Sequence, residues 1–157
     1  MSTEKLILYG VWIATVVSLF FLIPREKVRL ALVAFLFKQF ITWPVGLYVV
    51  DRGWIMYPVR FFENANQTSF TFEYFFFPVL CAYFNVYFPE GSKALVRAAY
   101  YMLFCSALTV AEVMLERYTD LIIYISWDWY LTWFSMFVLF YITRKFCLWF
   151  FEKYGGV

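Results

Sequence analysis

The chain contains 157 residues, of which 64% are apolar and 15% are charged, whereas ordinary globular chains have about 45–50% apolar and about 25% charged residues. A soluble domain of this size has too little interior to bury so much apolar surface, and the mean hydropathy is +0.70. The composition therefore predicts an all-α, polytopic membrane protein. The absence of histidine and the net charge of only +2 argue against imidazole catalysis, zinc binding and nucleic-acid binding.

Five apolar runs predict a transmembrane helical bundle of about five spans in a single membrane domain, residues 1–157. The predicted spans cover residues 6–23, 28–50, 70–88, 94–115 and 129–150. Each run is near the roughly 20 residues that cross the hydrocarbon core. The first run lacks the basic start and the small-residue cleavage site of a signal peptide, so we expect it to be retained. The polar connector between residues 51 and 71 carries regularly spaced aromatics, which predicts a short segment lying on the membrane surface.

Basic residues near the span ends are unequally divided between the two sides of the membrane. One side carries eight, namely Arg25, Lys27, Arg29, Lys93, Arg97, Arg144, Lys145 and Lys153, and the other carries four, namely Lys5, Arg52, Arg60 and Arg117. The more basic side of a membrane protein faces the cytoplasm. We therefore predict a multi-pass protein of the cell membrane, with its N-terminus outside and its C-terminus in the cytoplasm.

Lys38 is a charged residue inside the second predicted span. A charge near the bilayer centre costs at least about 2.5–3.5 kcal/mol, so such a residue is a candidate for function. In one interpretation, Lys38 extends to the inner headgroups. In the other, it contacts Gln39 or Asn85, and Asn85 itself fits either a helix–helix contact or a site.

Acidic residues gather toward the outer side. Glu112, Glu116 and Asp120 follow one another at intervals of four, so they share one face if the helix continues, and Glu73 lies at the outer mouth of the third predicted span. A carboxylate removed from water is costly when ionised, so Glu112 or Glu73 could bind a proton or a cation. The alternative, which the sequence favours, is a structural network of these acids with the arginines at matching depth, Arg52, Arg60 and Arg117.

The sequence contains no motif that indicates a catalytic, cofactor or metal site. Its three cysteines stand alone in apolar runs and are predicted to be buried thiols: Cys81, Cys105 and Cys147. We predict no cofactor, no bound metal and no enzymatic activity. An alternative is an intramembrane enzyme in which Glu112 with Glu116, or Glu73, supplies acid and base.

Several aromatic and acidic motifs, mostly in the second half of the chain, carry a resemblance to a known family. They are Glu73-Tyr74 with Pro78, Asn85-Val86-Tyr87-Phe88-Pro89, Glu112 through Glu116-Arg117-Tyr118-Thr119-Asp120, and Trp127-Asp128-Trp129-Tyr130 with Trp133. In these motifs the chain resembles an uncharacterised family of small multi-span membrane proteins of spore-forming Firmicutes. The resemblance implies a helical fold and a bacterial cytoplasmic or spore membrane, and it supplies no catalytic residues.

Two functional hypotheses follow. The first is a non-enzymatic accessory or structural component of the membrane, linked to sporulation or germination through the resemblance, with a second membrane protein or further copies of itself as partner. The alternative is a subunit of a small ion or solute conduit or transporter, with a polar path near Glu112, Glu73 and Lys38. In both, the lipid bilayer surrounds the protein and nucleic acid is not a partner. The candidate functional residues are Lys38, Glu73, Asn85, Glu112, Glu116, Arg117 and Asp120.

Overall fold

The computed structural model describes residues 2–154, and this part of the chain is mostly helical, as predicted. Its helices are α1 (Thr3–Leu22), α2 (Val28–Asp51), α3 (Phe77–Val86), α4 (Ala94–Tyr118) and α5 (Trp129–Tyr154). A 3-10 turn, Arg25–Lys27, precedes α2, and a π-helix, Phe70–Phe76, continues directly into α3. Two short strands, β1 (Ile55–Met56) and β2 (Ile123–Tyr124), lie in the connectors.

Four helical segments are long and apolar enough to cross a membrane: α1, α2 with its preceding turn, α4 and α5. The protein therefore has the helices of an integral membrane protein. The third predicted span corresponds to a shorter apolar segment, Phe70–Val86, which ends two residues before the predicted boundary. Pro89 follows closely, and the residue before a proline disfavours helical geometry.

Pro78 explains why the third segment is divided into a π-helix and an α-helix. Proline has no amide hydrogen, so it cannot bond the carbonyl of Tyr74 four residues earlier. Instead, the Phe77 amide donates to the carbonyl of Phe72, five residues back, and the side chain of Gln39 donates to the Tyr74 carbonyl at 2.8 Å. Gln39 therefore satisfies the main-chain carbonyl that Pro78 leaves unpaired. One interpretation of the sequence predicted a contact of Gln39 with Lys38 instead.

The connectors of residues 52–69 and 119–128 meet over one end of the bundle, and we call them together the cap. β1 pairs antiparallel with β2, so that Ile55 lies opposite Tyr124. The rings of Trp54 and Trp127 stack beside this pair at 6.2 Å between centroids. Because the two connectors satisfy each other's main-chain groups, the first folds onto the bundle and buries Tyr57. The location of this segment at the membrane surface stays a prediction.

The opposite end of the bundle, which we call the basic end, holds the Arg25–Lys27 turn. There Lys27 Nζ donates to the Val86 carbonyl at 2.7 Å, and the Tyr87 hydroxyl donates to the carbonyl of Leu22. Within the described residues, the chain passes five times between the cap and the basic end. The largest buried cluster lies between these ends, where the rings of Phe84 and Phe140 are 4.7 Å apart.

Candidate functional site

A narrow cavity of about 70 Å³ lies beneath the cap, and three of the predicted functional residues line it. They are Lys38 from α2, Glu73 from the π-helix and Glu112 from α4. The other lining residues are Thr42, Val45, Gly46, Val49, Val50, Ile55, Tyr57, Trp127, Thr132, Ser135, Met136 and Leu139. Residues that are far apart in sequence thus surround one space.

Glu112 is held by donors from the cap and from α5. Its side chain is buried, and Oε1 accepts a hydrogen bond from the Tyr124 hydroxyl at 2.5 Å and another from Thr132 Oγ1 at 2.8 Å. Trp127 Nε1 donates to the Thr132 hydroxyl at 2.8 Å, which orients that hydroxyl toward the carboxylate. Burial and the neighbouring Glu112 carboxylate raise the pKa of Tyr124, so its phenol stays protonated and remains a donor.

Glu73 has a matching partner in the first connector. The Tyr57 hydroxyl donates to Glu73 Oε1 at 3.0 Å. Tyr57 is only 3% exposed, and its burial, followed by the charges of Glu73 and Glu112, raises its pKa well above the ordinary value. Each carboxylate is therefore oriented by one neutral tyrosine, and each tyrosine comes from a different half of the cap.

Gly46 lets Glu73 reach the cavity. A Cβ atom at Gly46 would lie 3.1 Å from Cγ of Glu73 and 3.1 Å from Oγ1 of Thr68. A side chain at position 46 would therefore crowd Glu73 and Thr68. The glycine serves a close approach between α2 and the π-helix, which is a common reason for glycine at a helix contact.

Lys38 differs from both glutamates because it lacks a hydrogen-bond partner. Its side chain is 0% exposed, and within residues 2–154 Nζ makes no hydrogen bond. The nearest aromatic face is that of Phe140, whose centroid lies 5.6 Å from Nζ. Both interpretations from the sequence are wrong: Lys38 does not extend to the headgroups, and it bonds neither Gln39 nor Asn85.

The charge and size of the cavity limit what it can hold. With all three groups ionised, one ammonium and two carboxylates leave a formal charge of −1, which a single added proton or monovalent cation neutralises. A volume of about 70 Å³ accepts a few water molecules. It is far below the roughly 300–1,000 Å³ of pockets for drug-sized ligands. The geometry therefore suits proton or water exchange rather than binding of an organic solute.

Asn85 belongs to a second polar cluster, at the basic end. Arg144 of α5 is only 5% exposed, and its Nη1 donates to Asn85 Oδ1 at 3.4 Å. The guanidinium also forms an ion pair with Glu90 and lies 4.5 Å from the centroid of the Phe88 ring. The Asn85 amide donates to the carbonyl of Cys81 at 2.9 Å. Arg144, counted from the sequence among the basic residues of the cytoplasmic side, is thus buried in the interior.

Glu116, Arg117 and Asp120 do not line the cavity. Helix α4 ends at Tyr118, where the Thr119 hydroxyl donates to the Leu115 carbonyl at 2.6 Å. Asp120 therefore lies outside the helix, and the predicted common face of the three acids stops at Glu116.

The favoured arginine–carboxylate network is also wrong. Across residues 2–154, the ion pair that forms is Arg144 with Glu90. Arg60 donates instead to three main-chain carbonyls of its own connector, those of Tyr57, Asn66 and Glu63, at 2.8, 2.9 and 3.1 Å. The guanidinium thus satisfies carbonyls of a non-helical segment, which have no helical partner.

The three cysteines are free and buried, which confirms their prediction as buried thiols. In the described part of the chain, no three histidine, cysteine, aspartate or glutamate side chains converge to hold a metal ion.

Comparison of the chain with protein families, curated proteins and solved structures gives no match. The resemblance to a membrane family of spore-formers therefore stays a prediction, and the site must be interpreted from its geometry alone.

Proposed function

We propose that the chain is a non-enzymatic integral membrane protein that conducts protons through the cavity of Lys38, Glu73 and Glu112. One observation carries the proposal: one lysine and two glutamates from three segments line one cavity that is too small for an organic solute. This is the conduit hypothesis, with the transported species narrowed to the proton. The hypothesis of an accessory component stays a prediction.

The chemistry of the three groups supports proton exchange. Ionisable residues inside a membrane are costly and commonly serve as proton relays. Two carboxylates beside an amine can accept or release one proton while the total charge stays within one unit of zero. The tyrosine donors hold the carboxylates in place, and the few waters that fit can link the groups by hydrogen bonds.

For the topology, we propose five spans with the N-terminus outside and the C-terminus in the cytoplasm. The unequal distribution of eight and four basic residues supports this orientation, and so do the five passes of the chain between the ends of the bundle. In this orientation the cap faces outward, and protons enter the cavity from that side. The bacterial or spore membrane is proposed on the resemblance alone.

The experiment measures proton flux with purified protein in phospholipid vesicles that contain a pH-sensitive dye. A potassium gradient with valinomycin supplies the driving force. We expect the vesicle interior to acidify faster than in protein-free vesicles. In Glu112→Gln and in Lys38→Met, the rate of acidification should fall by at least about tenfold, which is a modest effect for the loss of a proton-transfer group. Glu116→Gln is the matched control, because Glu116 lies one turn farther along the same helix and outside the cavity.

Two results would overturn the proposal. If vesicles with the wild-type protein acidify no faster than empty ones, the protein does not conduct protons. If Glu112→Gln and Glu116→Gln conduct equally well, the path does not use this cavity. Size-exclusion chromatography of every variant checks that each remains folded.

A further inference from the structure

A second, larger space opens on the side of the bundle, between α1 and α2 near the basic end. This groove has a volume of about 490 Å³. The buried Ala31 and Ala82 lie deepest in its lining, whereas Phe20 of α1 and Leu32 of α2 are exposed and form its rim. Arg25, in the turn between the two helices, is the charged residue among its lining. The groove is thus apolar along its walls and cationic at one end.

The groove exists because α1 is attached to the third segment rather than to α2. Trp12 Nε1 donates to Thr71 Oγ1 at 3.1 Å, and its ring stacks on Phe75 at 4.1 Å. Farther along, the hydroxyls of Ser18 and Tyr83 share a hydrogen bond of 2.6 Å. These contacts fix α1 on one side, so its other side remains separated from α2.

Arg25 and Lys27 differ in what they contact. Lys27 Nζ donates to the Val86 carbonyl, which ties the turn to the end of α3. The side chain of Arg25 is exposed and, within residues 2–154, forms neither a hydrogen bond nor an ion pair. Its guanidinium is therefore available to an anion at the mouth of the groove, and a guanidinium suits phosphate oxygens because it offers paired donors.

We infer that this groove binds one acyl chain of an anionic glycerophospholipid, whose phosphate and headgroup lie against Arg25. The acyl chain would contact the apolar walls of the groove, and the anionic headgroup would be attracted to a basic residue at the membrane surface. The volume lies in the range of ordinary ligand pockets, roughly 300–1,000 Å³. This site is separate from the cavity beneath the cap and does not depend on proton conduction.

The test is native mass spectrometry of the protein in mild detergent, titrated with dioleoyl phosphatidylglycerol or dioleoyl phosphatidylcholine. We expect one phosphatidylglycerol to bind at a lipid concentration roughly fivefold lower than phosphatidylcholine requires. This is the difference in affinity that one basic residue near a membrane surface gives to an anionic headgroup. Arg25→Gln should remove this preference. Arg97→Gln, an exposed basic residue on α4 that does not line the groove, should keep it.

A second pair of variants tests the acyl chain. Leu32→Trp fills the groove from its rim and should lower retention of both lipids, whereas Leu103→Trp, on an exposed face of α4, should not. The inference is overturned if the two lipids bind equally, if Arg97→Gln acts as strongly as Arg25→Gln, or if Leu32→Trp leaves retention unchanged. None of these results alters the flux assay, so the two proposals fail independently.

Discussion

The bundle buries two basic side chains in different surroundings, Arg144 at the basic end and Lys38 near the middle of α2. At the basic end, Arg144 pairs with Glu90, whose own side chain is 59% exposed, so the ion pair extends from the interior to the surface. Beneath the cap, Lys38 is fully buried beside a cavity and lacks a hydrogen-bond partner. Burial of a charge therefore does not distinguish structure from function in this protein. The distinguishing features are the cavity and the unpartnered amine.

The two arrangements have opposite consequences for stability. A paired and hydrogen-bonded buried charge costs much to break, whereas an unpaired one already lowers stability in the native protein. Sites that contradict the rules of stable packing are frequently functional sites. Substitutions of Arg144 and of Lys38 should therefore change the free energy of unfolding with opposite signs and by different amounts.

The largest effect is expected for Arg144→Ala. The substitution truncates a buried side chain, which leaves a cavity, and it leaves the buried Asn85 Oδ1 without its donor. We therefore expect the free energy of unfolding to fall by about 3 kcal/mol. Thermal unfolding in detergent measures it. Arg97→Ala, an exposed basic residue of α4, should change stability by no more than about 0.5 kcal/mol. Equal effects of the two substitutions would show that the basic end is not held by Arg144.

Tyr57→Phe should have the next largest effect. It removes the phenol that donates to Glu73 at 3.0 Å and leaves a partly buried carboxylate without that donor. A hydrogen bond to a charged group contributes about 2 kcal/mol, and we expect a loss of that size in the unfolding free energy. Tyr118→Phe, whose hydroxyl is on an exposed side chain, is the control. A loss no greater than in the control would mean that the cap does not fix Glu73.

The cap should also make stability depend on alkaline pH. The pKa of Tyr57 is raised in the folded protein, whereas an unfolded tyrosine ionises near about pH 10. The folded form is therefore favoured at and below that pH, and its advantage falls by up to about 1.4 kcal/mol per pH unit above it. The test compares the unfolding of the wild type and of Tyr57→Phe from about pH 8 to about pH 11, a range that includes the ordinary tyrosine pKa. The prediction fails if the two proteins lose stability at the same rate above about pH 10, the ordinary tyrosine pKa.

The smallest effect is a gain rather than a loss. Lys38→Met keeps the length of the side chain and removes an unpartnered buried amine, so we expect the unfolding free energy to rise by about 1 kcal/mol while proton flux falls. Thermal unfolding and the vesicle assay on the same preparation measure both. A clear loss of stability would show instead that Lys38 is needed to balance Glu73 and Glu112.

The sequence revealed the charged members of the site but not the neutral ones. Lys38, Glu73 and Glu112 were found because ionisable residues inside apolar runs are rare and costly. Tyr57 and Thr132 were missed, since tyrosine in a connector and threonine in a span are ordinary. Their roles depend on the pairing of two connectors that lie far apart in sequence, and spacing along the chain does not reveal it.

The arginine network was wrong for a related reason. Depth along a predicted span places a guanidinium at a level of the membrane but does not determine its direction. Arg60 turns to the carbonyls of its own connector, which the helices leave unpaired. The division of the third segment could have been anticipated from Pro78, because the missing amide of a proline can be recognised in the sequence alone.

The pairing of β1 with β2 also has a consequence for biosynthesis. The cap cannot close until Tyr124 has been synthesised, which happens after the synthesis of Lys38 and Glu73. Until then both side chains lie on helical segments that lack some of their final neighbours. The cavity is therefore complete only after α4, the second connector and α5 have packed against the first three helical segments.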